Sequence, residues 1–412
     1  MSRICFAALY AYPLFNPAIS HIFGGAEVRA WFFGVGLSKF PNNKVSFIVL
    51  NHRQPQVEHY GLIKVYRHSH YRASSSFSGR LMVRVQDLLY RLQHPFTLSL
   101  RINHYEVTPT KFIIYEKANA DLYCTFGVSN FSAELAAFCK RHNKRLALFS
   151  SNDDDFSLDY YPDSRRKNAY GSIGSLCYYT IMQADLIVTQ TQRQSELLEK
   201  RFGRTSVTVF SPIELTSTEE IVSGLAKERN VALWIGKSDR IKQPEILLDL
   251  ARLFPDIPFV MILNRSDPEI HAEMLRTKPE NLQIMENIDF RKVENLFSQA
   301  FLLINTSIFE GFPNTFLQAG KHGIPLLSLQ VDPDGFIEKY ECGKVVRGNL
   351  SNLAEGLKQM AFGTEFWHQC SENIKQYVRS HHEVNDKVKE LHQILEKFVG
   401  EDDGIGCKQA VI

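Results

Sequence analysis

Two short apolar runs, residues 301–304 and 324–329, stand either side of a segment that leaves the chain few choices. Runs this short and this apolar read as strands buried on both faces of a parallel sheet. Parallel neighbours need a crossover, usually helical. The crossover begins Phe309-Glu310-Gly311-Phe312-Pro313-Asn314-Thr315-Phe316-Leu317-Gln318-Ala319-Gly320. A helix starting near Pro313 loses nothing by the missing proline N–H, because first-turn donors have no intrahelical partner. The N–H groups of Asn314, Thr315 and Phe316 would then be free beyond the strand's carboxyl end, a place that attracts anions and phosphates above all. Glu310 comes just before that start and Gln318 about two turns after it. A carboxylate beside a phosphate site is costly unless a ligand brings it donors, and sugar hydroxyls are such donors. The plainer reading is a helix cap with an incidental glutamate.

The same alternation recurs along the chain. Apolar runs at 4–9, 44–50, 62–66, 122–126, 145–149, 185–189 and 207–211 interleave with helical patterns at 24–37, 131–141, 170–183 and 192–202. A polar stretch rich in Ser, Thr and Glu, 213–228, reads as a linker. Beyond it the runs 231–236, 258–263, 282–285, 301–304, 324–329 and 344–346 alternate with further helical segments, ending with 364–380 and 384–398. Strand and helix in alternation imply Rossmann-like units, and 412 residues suffice for two of them, 1–213 and 229–380. Residues 401–412 read as a frayed tail.

A net charge of +2 argues against nucleic acid as a partner. Seven scattered cysteines without a C-x-x-C pair suit a reducing compartment rather than a disulfide or zinc framework. No apolar run reaches the roughly 18 residues of a spanning helix, and residues 4–15 read as a first strand rather than a signal peptide, so the expected location is cytoplasmic. From Lys64 to His104 seven basic residues face one acid, Asp87, and Leu81, Val85, Leu88 and Leu92 recur at helical spacing. That helix either packs on the core with a solvated basic side or is a surface helix that meets a charged acceptor or anionic lipid headgroups, the latter as a peripheral contact on the inner face of a membrane.

Other strand ends carry chemistry of the same kind. The run 231–236 ends in Gly236 and is followed by Lys237, Arg240 and Lys242, suited to a diphosphate, although a solvated basic loop is the alternative. Asn264 closes the run 258–263, where a nucleotide base could lodge. Gly24-Gly25 opens the helix 24–37 and lets backbone approach a ligand closely. Asn152 and Asp153, with Asp154 and Asp155, follow the run 145–149.

The stretch from Glu310 to Ala319 resembles the donor-site signature of retaining nucleotide-sugar glycosyltransferases of family 4, Glu-Gly-Phe-(Gly or Pro-Asn)-x-x-Leu-Glu-Ala. The resemblance implies an α/β chain of GT-B fold, two Rossmann-like domains facing across a cleft, the first for the acceptor and the second for the donor, with the helix 384–399 packing back on the first. Glu310 falls on the glutamate that holds the donor sugar's hydroxyls, and Gln318 on the one that takes the ribose diol, here without charge. Lys237 falls on the family's arginine and Lys242 on its second basic position, the pair that meets the diphosphate. Gly24-Gly25 resembles the family's glycine loop, which reaches donor phosphates and acceptor. Asn152 stands near a frequent family histidine, and Asn152 and Asp153 are assigned to the acceptor side.

The three aspartates resemble the metal-binding Asp-x-Asp of the other large glycosyltransferase architecture, but they read here as a cap-and-loop segment, with no metal and no cofactor required. The implied activity is retaining transfer of a sugar from a UDP-, GDP- or ADP-sugar to a sugar or lipid-linked acceptor in polysaccharide, glycolipid or glycan assembly. The alternatives are a catalytically silent nucleotide-sugar-binding partner and a twin-Rossmann epimerase or phosphorylase.

Overall fold

The computed structural model describes residues 2–19, 23–72, 100–107, 109–215, 229–286, 288, 290–361 and 363–400. The basic helix expected around Leu81 to Leu92, most of the 213–228 stretch and the 401–412 tail lie outside the described residues. The chain divides into two compact units, residues up to Val209 together with those from Asn385, and Phe210–Val384.

In the first unit the strands are β1 (Ser2–Ala7), β2 (Asn43–Asn51), β3 (Val57–Tyr60), β4 (Ile63–Arg72), β7 (Leu122–Phe126), β8 (Arg145–Phe149), β9 (Leu186–Thr189) and β10 (Val207–Thr208). Their order is β10-β9-β8-β7-β1-β2-β4-β3. All neighbours are parallel except β3 and β4, a hairpin absent from the sequence expectation and turned at Gly61, whose φ is +58°. A separate ribbon pairs β5 (Leu100–Ile102) with β6 (Tyr105–Val107). Strand order reverses direction between β1 and β7. There the Arg3 side chain grips Asp121 with Nε at 3.1 Å from Oδ2 and Nη2 at 2.5 Å from Oδ1.

Some expected elements come out shorter. The helix expected from residue 170 begins only at Gly174. Upstream, the Asn168 side-chain oxygen accepts the Tyr170 and Ser172 amides and Gly171 adopts φ +76°, so a side-chain turn displaces the helix start. The run 207–211 contributes only the two residues of β10.

The second unit is wholly parallel: β11 (Val231–Lys237), β12 (Phe259–Asn264), β13 (Leu282–Met285), β14 (Ala300–Asn305), β15 (Leu326–Ser328) and β16 (Gly343–Val345), in the order β13-β12-β11-β14-β15-β16. Both faces are covered. Trp234, Phe259, Met261 and Leu302 pack on one side, and Leu233, Val260, Ile262 and Leu303 on the other. This is why these strands read as unbroken apolar runs rather than alternating ones.

The helix Val384–Gly400 belongs to the first unit from Asn385 onward. A Cβ on Gly36 would lie 2.4 Å from Val388, so the helix Gly25–Ser38 needs glycine there to let the last helix approach. Arg145 donates to the carbonyl of Phe398 at 2.6 Å. Among the described residues no helix is long and apolar enough to cross a membrane.

Candidate functional site

Numbered within the second unit, the strand order is 3-2-1-4-5-6, so connections leave β11 and β14 in opposite directions, and the carboxyl ends of these two strands are the switch point where open α/β sheets bind ligands. The two loops that end there carry the two charges singled out in the sequence. Lys242 Nζ lies 2.6 Å from Glu310 Oε2, with the side chains 22% and 15% exposed. The other carboxylate oxygen, Oε1, accepts from Asn305 Nδ2 at 2.8 Å and from Ser307 Oγ at 2.7 Å. Glu310 is thus held on both oxygens and aimed.

The loops are sewn to one another below this pair. Asp239 Oδ1 accepts the amides of Ile241 (3.1 Å) and Lys242 (2.9 Å). Thr306 Oγ1 donates to the Lys242 carbonyl at 2.6 Å and accepts the indole N–H of buried Trp234 at 2.9 Å. The Ile308 amide donates to the Ile241 carbonyl at 2.9 Å. Lys242 therefore has its N–H and its C=O both fixed before its side chain meets anything. Asn305, Thr306, Ser307 and Trp234 were not among the expected site residues. The signal was present, since an apolar strand that stops at three consecutive polar residues has to pair them if they stay buried.

Other expected positions fare differently. Gly236 is buried, and a Cβ there would lie 2.6 Å from the Trp234 ring, so the glycine accommodates that indole. Lys237 and Arg240 are exposed, with no ion-pair partner among the described residues. Half-buried Asn264 sits across from Lys237 in register, its carbonyl accepting from the Ser238 amide at 2.9 Å.

In the helix Asn314–Lys321, Pro313 is the N-cap, with φ −63° and ψ 122°, and no side chain caps the helix. The expectation of three free amides has to be corrected, because the Phe316 N–H already donates to the Pro313 carbonyl at 3.0 Å and its ring is buried in the core. A tight first turn uses that donor. Asn314 and Gln318, four residues apart and both half-buried, share a helix face.

In the first unit, Gly24 is the N-cap of the helix Gly25–Ser38, and its amide donates to Glu27 Oε2 at 2.8 Å. A carboxylate of the chain thus already occupies the Gly24 amide that was expected to face phosphate. Asn152 caps the short helix Asp153–Phe156 by accepting the Asp155 amide at 3.1 Å. Asp153 Oδ2 accepts from Arg193 Nε at 2.8 Å. Asp155 turns inward, taking the Val128 amide at 3.1 Å and the Ser151 hydroxyl at 2.9 Å. Burial pushes its carboxyl above the ordinary value, against the pull of these donors. A cavity of about 150 Å³ opens here, lined by Asn152, Asp154, Tyr160, Asn168 and Tyr170 among others.

Arg29, also unexpected, is buried with its guanidinium on the carbonyls of Ser150 (2.8 Å) and Val209 (2.9 Å). Loss of water lowers its pKa to about 9.

Two parallel-sheet Rossmann-type units in one chain make this an α/β protein of the GT-B fold, the fold of nucleotide-sugar glycosyltransferases. The chain superposes on sucrose-phosphate synthase from Thermosynechococcus elongatus with a TM-score of 0.69 at 12% identity, covering 98% of this chain and 100% of that one. It superposes on the Anabaena protein HepE, solved with UDP and glucose, with a TM-score of 0.61 at 13% identity, covering 96% and 100%. Among curated proteins it is 21% identical over 279 residues to the GtfA subunit of the UDP-N-acetylglucosamine–peptide N-acetylglucosaminyltransferase of Streptococcus pneumoniae serotype 4. That match takes in 62% of this chain and spans half the length of that relative. No family model matches the chain.

Proposed function

We propose that this protein transfers a sugar from a UDP-sugar to a hydroxyl-bearing acceptor with retention of anomeric configuration. The observation that carries this reading is the Lys242–Glu310 pair at the switch point of the second unit. Each charge neutralises the other; a donor would exchange both partners. Its diphosphate takes Lys242 together with exposed Lys237 and Arg240, and its sugar hydroxyls replace the ammonium on Glu310. Lysine supplies a point charge rather than a bidentate fork, so orientation of the diphosphate falls more heavily on the start of the helix Asn314–Lys321. Asn314 and Thr315 lie at that start, Gln318 reaches the ribose diol, and Asn264 lies where the base would sit. The acceptor oxygen bonds to the anomeric carbon on the face the diphosphate leaves, the carbon–oxygen bond to the diphosphate breaks, and the acceptor's proton passes to a diphosphate oxygen. Stabilising the departing charge is the main chemical need, and fixed cations and helix amides meet it.

The acceptor would be taken by the first unit beside Asn152 and Asp153, where the cavity offers hydroxyl, amide and carboxylate partners. Support for UDP as the nucleotide comes from HepE, solved with UDP and glucose, and from the name of the GtfA relative.

The test is calorimetry with UDP and a UDP-release assay with UDP-glucose and UDP-N-acetylglucosamine. UDP binding with slow release of free sugar is expected, and UDP at about 100 times its Kd adds about 2.7 kcal/mol of stability. No binding at millimolar UDP would sink the reading. Binding without turnover of any donor would instead identify a nucleotide-sugar-binding partner, the outcome that the uncharged Gln318 favours.

A further inference from the structure

Phe312 lies two residues after Glu310 and one before the cap of the helix Asn314–Lys321, with buried Gly311 between it and the carboxylate. Its ring is buried among aromatic neighbours, stacked on Phe336 with centroids 5.2 Å apart and tilted against the His382 imidazole at 4.9 Å. His382 itself is fully buried at the end of the helix Glu365–His382. Its Nδ1 faces the Ser211 carbonyl at 2.8 Å, and its own carbonyl accepts the Ile213 amide at 2.8 Å. Facing a carbonyl, Nδ1 carries the proton, which leaves Nε2 to accept from the Tyr377 hydroxyl at 3.4 Å. Phe210 closes the box from the other side, 5.5 Å from the imidazole. Residues 210–213 and 382–383 are where the chain enters and leaves the second unit, and Ile213 and Glu383 form a bridge. One side chain thus joins the entry segment, the exit helix and the loop that holds Glu310.

We propose that His382 is a positioning residue for the donor loop: its ring holds Phe312, and through it Glu310 and the start of the helix Asn314–Lys321, in one arrangement. The proposal rests on the donor-site reading above. The physical need is plain, because Gly311 brings no side chain to pack between the carboxylate and the helix, which leaves that task to Phe312, and binding groups have to be held within roughly 0.5 Å.

Two substitutions separate the ring from the hydrogen bond. His382→Asn keeps a donor towards the Ser211 carbonyl and drops the ring, whereas His382→Phe keeps a ring and drops the donor. With UDP as the probe in calorimetry, well below the melting temperature, His382→Asn weakens binding about tenfold or more, in the range that misplacement of a site produces. His382→Phe binds within about twofold of the parent despite a lower Tm, since the carbonyl it leaves unpaired affects folding rather than the loop. Phe312→Leu reproduces the loss, and combining it with His382→Asn adds little more, as expected of two residues in one contact.

Parent-like UDP affinity in folded His382→Asn overturns the proposal, and so does the reverse pattern, with His382→Phe weak and His382→Asn unaffected. If His382→Asn does not fold, Phe312→Leu carries the same test. A parent protein that fails to bind UDP removes the donor-site reading itself, which is a distinguishable result.

Discussion

Glu310 makes its three contacts with one cation and two neutral donors, and these have separable consequences. On the donor-site reading proposed above, Glu310→Gln loses the ion pair, which releases Lys242 to a diphosphate while a sugar loses its carboxylate. The expected outcome is UDP affinity equal to or tighter than that of the parent, with donor turnover lost, measured by calorimetry and UDP release on one preparation. Equal loss of both would mean that the pair acts only as a structural brace.

Thr306 gives a second test. Thr306→Val keeps the shape but strands the buried Trp234 N–H, a group that loses about 1–3 kcal/mol when unpaired, and the half-buried Lys242 carbonyl. Chemical denaturation should show a loss of about 2 kcal/mol or more, and Thr306→Ser should recover most of it. Lys242 and Glu310 were legible because each follows an apolar strand. The residues that hold them were not, because whether a Thr or an Asn after a strand faces water or the core depends on neighbours far away in the chain.

Strands and helices were legible to within a residue or two wherever an apolar run was long or both of its faces were buried, as in β7, β8 and β11. The exceptions were decided by short side-chain bonds, such as Asn168 holding back the helix at Gly174, or by pairing, as in the β3–β4 hairpin. The clamp between Arg3 and Asp121 also lives here. It fastens β1 to the start of β7, and the guanidinium, by its hydrogen bonds and charge, holds the Asp121 carboxyl below its ordinary value. A carboxyl lowered on folding stabilises above its unfolded pKa of about 3.9, and that contribution fades as pH falls through the folded value. Urea titrations should therefore separate parent from Asp121→Asn near neutrality and bring them together in acid. A gap that stays constant down to pH 2 would remove the electrostatic account.

The helix Val384–Gly400 is the last described element, yet from Asn385 it belongs to the unit that begins the chain. Val388, Leu391 and Leu395 are buried there, and each fully buried apolar side chain of this size contributes about 1.5–3 kcal/mol. A chain stopped after Val384 should show a weakened first unit, seen as an early unfolding transition and as binding of a hydrophobic dye, with the second unit's transition preserved. A single unshifted transition would contradict this. Local order along the chain already dictated an alternating α/β protein with basic and glycine-bearing loops at its strand ends, because buried parallel strands and helix starts leave marks within a few neighbouring residues. Folding alone settled that Lys242 meets Glu310 and that Phe312 packs against His382. Those contacts join segments remote in the chain, and nothing in local propensity records which remote partner a side chain will find.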